Sequence, residues 1–162
     1  MALFGRGVTP IPLLAVAILL SGWLAYLIYM PQPTNDPYRL KPDDAMVVAK
    51  GASLYKQHCA SCHGTDLAGE ANWKTRKPDG RLPAPPHDES GHSWHHDNAA
   101  LFNVTKYGPQ YVAGAKYKSN MPAFEKTLSD PEIIAVLSYI KSTWPEDVRA
   151  AHDEINKRAR QK

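Results

Sequence analysis

Cysteine is scarce in this chain. There are two in 162 residues, and both fall within one stretch, CASCHG, residues 59–64. A disulfide between them would close a very small loop and restrict little of the unfolded chain. The formal net charge is only +3, which gives no ground for nucleic-acid binding. Internal repeats are absent, and no segment shows the alternation of a strand. Acidic residues are missing altogether from residues 98–124. Charge of either sign is missing from residues 11–30. The length suggests one domain with extensions, and a core small enough that a buried cofactor would add much of its apolar contact.

The uncharged run, residues 11–30, is twenty residues long. As a helix, twenty residues span about 30 Å, the thickness of a bilayer's hydrocarbon. Trp23, Tyr26 and Tyr29 stand in its second half, where an aromatic belt would lie. Pro10 and Pro12 suit a helix start. A cleaved signal peptide would have a shorter apolar region ending at a small-x-small site. This run ends Tyr29-Met30-Pro31, and its one Ala-x-Ala, Ala15 and Ala17, lies mid-run. Residues 1–30 are therefore expected to form an uncleaved transmembrane anchor. Flanking charge says little about its orientation: Arg6 precedes it, while Arg39 and Lys41 follow among Asp36, Asp43 and Asp44.

Residues 31–42 hold four prolines in twelve and read as a stiff tether. A helix is predicted over 43–58, capped by Asp43 or Asp44. Residues 65–96 read as a long polar loop, of the kind that is functional or wraps something. A short helix is predicted from Asp97, its N-cap, to Gly108, its stop. Gly108 leads into a loop that ends in SNMPAF. Ser129 and Glu132 make a capping box with Pro131 in the first turn of the next helix, which Trp144-Pro145 stops. The charged tail, residues 145–162, has its acids early and its bases late, as a helix prefers. The polar part of the chain, from residue 43 on, is expected to be all-α.

The pattern Cys59-x-x-Cys62-His63 admits four chemistries. The disulfide is weak for the reason given. A thioredoxin-like dithiol needs a βαβ setting. Zinc stays open, with Cys59, Cys62, His63 and one loop histidine as four ligands. Covalent haem explains all three residues at once. Two thiols so spaced can form thioethers to the two vinyl groups of one macrocycle edge, and His63 then lies beneath the iron as proximal ligand. A six-coordinate electron-transfer haem needs a second strong ligand on the other face. Of Met1, Met30, Met46 and Met121, only Met121 stands far downstream in an extended loop between helices. Pro122 stiffens the position after it and Phe124 can close over the ring. A plain core methionine is the competing reading.

With these residues in place, the sequence from about residue 43 to residue 144 resembles class I c-type cytochromes, specifically small membrane-anchored bacterial ones with one haem. The resemblance rests on Gly51 and Tyr55, on CASCHG, on NMPAF around Met121, and on LSDPEIIAVLSYIKS from residue 128. It implies the cytochrome c fold over residues 43–144, with first and last helices crossing near Gly51 and Tyr139 in the contact. It implies one covalently attached haem c held by Cys59 and Cys62, with His63 and Met121 on the iron. It implies a proline carbonyl that accepts the Nδ1–H of His63. Pro85 and Pro86, in PAPPH, are the candidates, although the family usually has Gly-Pro-x-Leu there.

HDESGHSWHH carries His87, His92, His95 and His96. Four histidines in ten residues suit copper, zinc or a bis-histidine haem. The simpler reading is a polar loop along the haem edge, with Trp94 inward and His92, His95 or His96 near a propionate, where a histidine would make the potential depend on pH. Lys106, Lys116 and Lys118 form one basic group, and Lys74, Arg76, Lys77 and Arg81 a second. Flanking an exposed haem edge, they would steer an acidic partner.

The expected function is single-electron transfer, without substrate chemistry of its own, by a carrier or a subunit of a larger oxidoreductase complex. The resemblance implies a quinol-oxidising complex or dehydrogenase upstream, a terminal oxidase downstream, and the lipid bilayer itself through residues 11–30. Haem attachment of this type occurs outside the bacterial cytoplasmic membrane. The expected placement is therefore single-pass in that membrane, with the N-terminus cytoplasmic and the haem domain periplasmic. The alternative is a haem peroxidase or small-gas sensor in which Met121 is displaceable.

Overall fold

The computed structural model describes residues 13–30 and 36–161. The chain divides into two compact units, Met1–Asp36 and Pro37–Lys162.

In the first unit, helix α1 runs Leu13–Tyr29. Pro10, Pro12 and residues 31–35 of the expected tether lie outside the described residues. The helix holds 17 residues, a rise of about 26 Å. That falls short of the roughly 30 Å of bilayer hydrocarbon. Among the described residues, no helix is long and apolar enough to cross a membrane. The expected transmembrane anchor, the bilayer contact through residues 11–30 and the placement derived from them are corrected accordingly.

The second unit is all-helical among its described residues, with α2 (Ala45–His58), α3 (Ala60–His63), α4 (Asn98–Tyr107), α5 (Pro109–Ala113), α6 (Asp130–Ser142) and α7 (Glu146–Ala159). A 3-10 turn spans Ser93–His95. Asp44 is the cap of α2; its carboxylate accepts the backbone N–H groups of Met46 and Val47 at 3.1 Å. Asp97 caps α4 in the same way through Ala100 N–H, at 2.8 Å. The Ser129–Glu132 capping box opens α6.

The crossing of α2 and α6 organises the unit. Gly51 is buried at the contact, and a Cβ built on it would lie 2.0 Å from the Ala135 carbonyl oxygen and 2.9 Å from Tyr139 Cβ. Only a glycine lets the two backbones come this close. Tyr139 packs on Tyr55 beside the crossing, ring centroids 5.4 Å apart. Tyr55, Leu101, Phe102, Phe124, Leu128, Ile133, Val136, Leu137, Ile140 and Trp144 build one core. Residues 38–41 lie against it: Leu40 is buried, Tyr38 meets the Phe102 ring at 5.1 Å, and Lys41 N–H donates to Ser138 Oγ at 2.9 Å.

The segment around residue 110, read as loop, contains α5. Its five residues lie between Gly108 and Gly114, too few for periodicity to reveal. Helix α7 has a role the tail's charge did not suggest. His152 and Asn156 are buried, and Asn156 Oδ1 accepts the backbone N–H of Asn98 at 2.8 Å. The tail thus packs against the end of the histidine loop.

Candidate functional site

CASCHG sits where α2 ends. The N–H of Cys59 closes the last turn of α2 on Tyr55 O at 2.8 Å. A single further turn, α3, then carries Cys62 and His63. Both cysteines are free thiols, Cys59 half-buried and Cys62 exposed. Burial, reinforced by Cys62, pushes the Cys59 thiol up to about 11. A thioredoxin-like dithiol needs a βαβ setting, and the described residues around the two cysteines are helical.

His63 is buried. Its Nδ1 lies 2.8 Å from the Pro85 carbonyl oxygen. A carbonyl has no proton to give, so the ring donates, and Nδ1 carries the hydrogen. Nε2 then keeps its lone pair and is the atom left to bind a metal. Burial lowers the His63 pKa, against the opposing Pro85 hydrogen bond and Glu70, which favours the neutral ring that ligation requires. Pro86 takes a different part. Gly69, at φ +69°, has no room for a Cβ, which would stand 2.6 Å from the Pro85–Pro86 peptide. The chain after His63 therefore lies directly on the proline pair. Gly69 N–H donates to His63 O at 2.8 Å, and Glu70 N–H to Ala84 O at 2.9 Å.

Met121 is half-buried and packs against the core, while Met46 is 84% exposed on α2. The Met121 loop is tied down on both sides. Met121 N–H donates to Ser119 Oγ at 3.0 Å. Phe124 N–H reaches Thr105 O at 3.2 Å and Glu125 N–H reaches Lys106 O at 3.0 Å. Phe124 itself is buried.

The histidines separate into two groups. His87 lies with His63, rings 3.9 Å apart and 14° from parallel. Sequence reasoning left it among the loop histidines, because nothing in a 32-residue loop without periodicity says which member turns inward. Burial, then the neighbouring His63 and His92, holds the His87 pKa well below its ordinary value. The others form a surface array. His92 stacks on Trp73 at 5.3 Å and meets His96 edge-on. Trp94 stacks on His95 at 3.6 Å and donates its indole N–H to Glu89 O at 3.2 Å. Burial, then His96 and His95, lowers the His92 pKa. Among the described residues, no group of three or more His, Cys, Asp or Glu is arranged to hold a metal ion. Neither the four-ligand zinc reading nor a second metal in the loop finds its ligand set.

The two basic groups meet. Arg76 lies over the Tyr117 ring, 5.7 Å from its centroid, and Lys118 Nζ donates to Asp79 O at 3.3 Å. Three of the seven cations are in ion pairs: Lys77 with Glu70 at 3.0 Å, Arg81 with Asp79 at 2.9 Å and Lys106 with Asp130 at 2.6 Å. The field they present is weaker than their number suggests.

Residues 47–140 match the family profile described as cytochrome c oxidase, cbb3-type, subunit III. The chain belongs to this family of c-type cytochromes. The cytochrome is also similar to the gluconate 2-dehydrogenase cytochrome c subunit of Pantoea cypripedii, 28% identical over 118 residues. That match covers 68% of this chain and 23% of the relative, so the cytochrome spans about a quarter of that protein's length. No solved structure matches it. The family implies haem c. The residues present fit it: one free thiol caps the single turn of α3 and the other lies within it, and the adjoining imidazole has its Nδ1 occupied, which leaves Nε2 for a metal.

Proposed function

We propose that the cytochrome is a single-haem electron carrier, with no substrate chemistry of its own, that passes electrons between respiratory or other redox partners. In this reading Cys59 and Cys62 fasten the haem by thioethers, and His63 and Met121 ligate its iron. The haem, when bound, supplies a one-electron couple at its iron. The observation that carries the reading is the Nδ1–H bond from His63 to the Pro85 carbonyl, 2.8 Å long. It fixes the tautomer, orients the ring and raises the basicity of the nitrogen that would meet the metal. Met121, on a loop tied to α4, supports thioether ligation on the other face, which favours a high potential. The core residues Tyr55, Leu67, Phe124 and Leu128 would exclude water from a haem held against them and lower the dielectric around it.

The names of the relative and of the family support a dehydrogenase as donor and a cytochrome c oxidase as acceptor; a quinol-oxidising complex as donor rests on the class I resemblance alone. The test is mass spectrometry of the denatured chain, together with carbon monoxide added to the reduced protein. The expected result is the polypeptide plus one haem, and no binding of carbon monoxide at ordinary concentration. Ready binding would mean an open sixth position and would favour the peroxidase or gas-sensor alternative. A mass without haem would end the proposal.

A further inference from the structure

His87 is placed by its backbone. Its N–H donates to Leu67 O at 2.7 Å, and its carbonyl accepts the Trp144 indole N–H at 2.7 Å. Leu67 takes φ +65° to present that carbonyl, a conformation uncommon for a residue with a side chain. Leu67 and Trp144 are both buried core residues. The ring so placed lies flat on His63, 3.9 Å away and 14° from parallel. Tyr55 stands edge-on to it at 5.8 Å.

The neighbouring contact comes from the same short segment. Pro85 grips the edge of the His63 ring through its carbonyl, and His87 covers a face. Pro86 between them fixes one backbone dihedral and stiffens the pair. A single hydrogen bond at Nδ1 leaves an imidazole able to rock about the line of that bond; a flat wall against its face opposes the rocking. The choice of an imidazole has a cost, because His87 Nδ1 is enclosed without a hydrogen-bond partner. An aliphatic side chain would fill the space without that cost, but it has no flat face.

We infer that His87 is a positioning residue for His63, its ring fixing the plane in which the His63 imidazole meets the iron. This rests on the haem reading above. The plane of an axial imidazole sets the splitting of the iron d orbitals, so it is read directly by the electron paramagnetic resonance of the ferric protein.

The experiment uses the full-length, haem-loaded chain with two variants, His87→Leu and His87→Phe. In His87→Leu the largest g-value is expected to shift and its line to broaden, with the sulfur-to-iron charge-transfer band retained. His87→Phe, which keeps a flat ring, is expected to return the parental g-values and width. A folded, loaded His87→Leu protein with parental g-values would overturn the inference, as would a His87→Phe variant no closer to the parent than His87→Leu. Should His87→Leu fail to load haem, the reduced parent decides. Nuclear Overhauser contacts between the two imidazole rings are expected there, and their absence overturns the inference. A parent without covalent haem would sink the electron-carrier reading itself, a failure visible before any variant is made.

Discussion

Replacing Gly51 by alanine sets two effects of opposite sign against each other. In a helix interior, alanine is favoured over glycine by about 1 kcal/mol, so local propensity alone predicts a more stable protein. The crossing predicts the reverse. The new Cβ would meet the Ala135 carbonyl oxygen at 2.0 Å and its carbon at 2.6 Å. These are backbone atoms of α6 and have no rotamer by which to move aside. The helices must part, and the packing of Tyr55 on Tyr139 beside the contact must loosen. Overpacking of a tight core costs about 1–3 kcal/mol, and a backbone clash belongs at the upper end. The net destabilisation is then about 2 kcal/mol. For a domain of this size that lowers the melting temperature by roughly 8 °C. Thermal unfolding of the ferric protein measures it, with Ser53→Ala, an exposed change on the same helix, expected to alter stability by less than about 0.5 kcal/mol. A Gly51→Ala protein that melts at or above the parental temperature would refute the close crossing of α2 and α6.

Three further outcomes are expected. Burial, with Lys141 next in effect, holds the His152 pKa down to about 4, so the unfolded chain takes up a proton below about 6.5 that the folded chain refuses. The stability this group contributes is complete above that pH and falls as pH drops toward 4. Acid titration of the melting temperature should show the loss in the parent and a flatter profile in His152→Leu; parallel profiles would count against it. Met121→Ala should abolish the sulfur-to-iron band and open the reduced protein to carbon monoxide, and a variant that keeps the band would show the sulfur ligand to be another residue. If the face formed by Arg76, Tyr117 and Lys118 docks an acidic partner, electron-transfer rates in stopped-flow should fall as ionic strength rises; rates indifferent to salt would remove that docking mode.

The parts legible in the sequence are those whose signal is local. Asp97 and the Ser129–Glu132 box announce helix starts because capping uses residues within one turn. CASCHG is legible because its chemistry needs fixed spacing. Gly51 was readable as a crossing point through the family resemblance. What escaped depends on tertiary placement. Pro85 and Pro86 offer equivalent carbonyls, and only the path of the loop over Gly69 decides between them. His87 looks like its three neighbours until Leu67 and Trp144 fix its backbone. His152 sits in a run of charged residues, and its burial follows from the docking of α7. The apolar run of residues 11–30 is a strong local signal, yet among the described residues no helix is long and apolar enough to cross a membrane: hydropathy marks a segment that avoids water, and says nothing of how far its helix reaches.

The central claim is that Cys59 and Cys62 are fasteners and that His63 and Met121 define an electron-carrying site. An optical redox titration of the purified full-length protein tests it most directly. One Nernstian wave of a single electron is expected, at a high potential, with a sulfur-to-iron band present in the oxidised form and lost on reduction. A low potential without that band would place a histidine on the iron instead of Met121, and the absence of any covalently held haem would contradict the account outright.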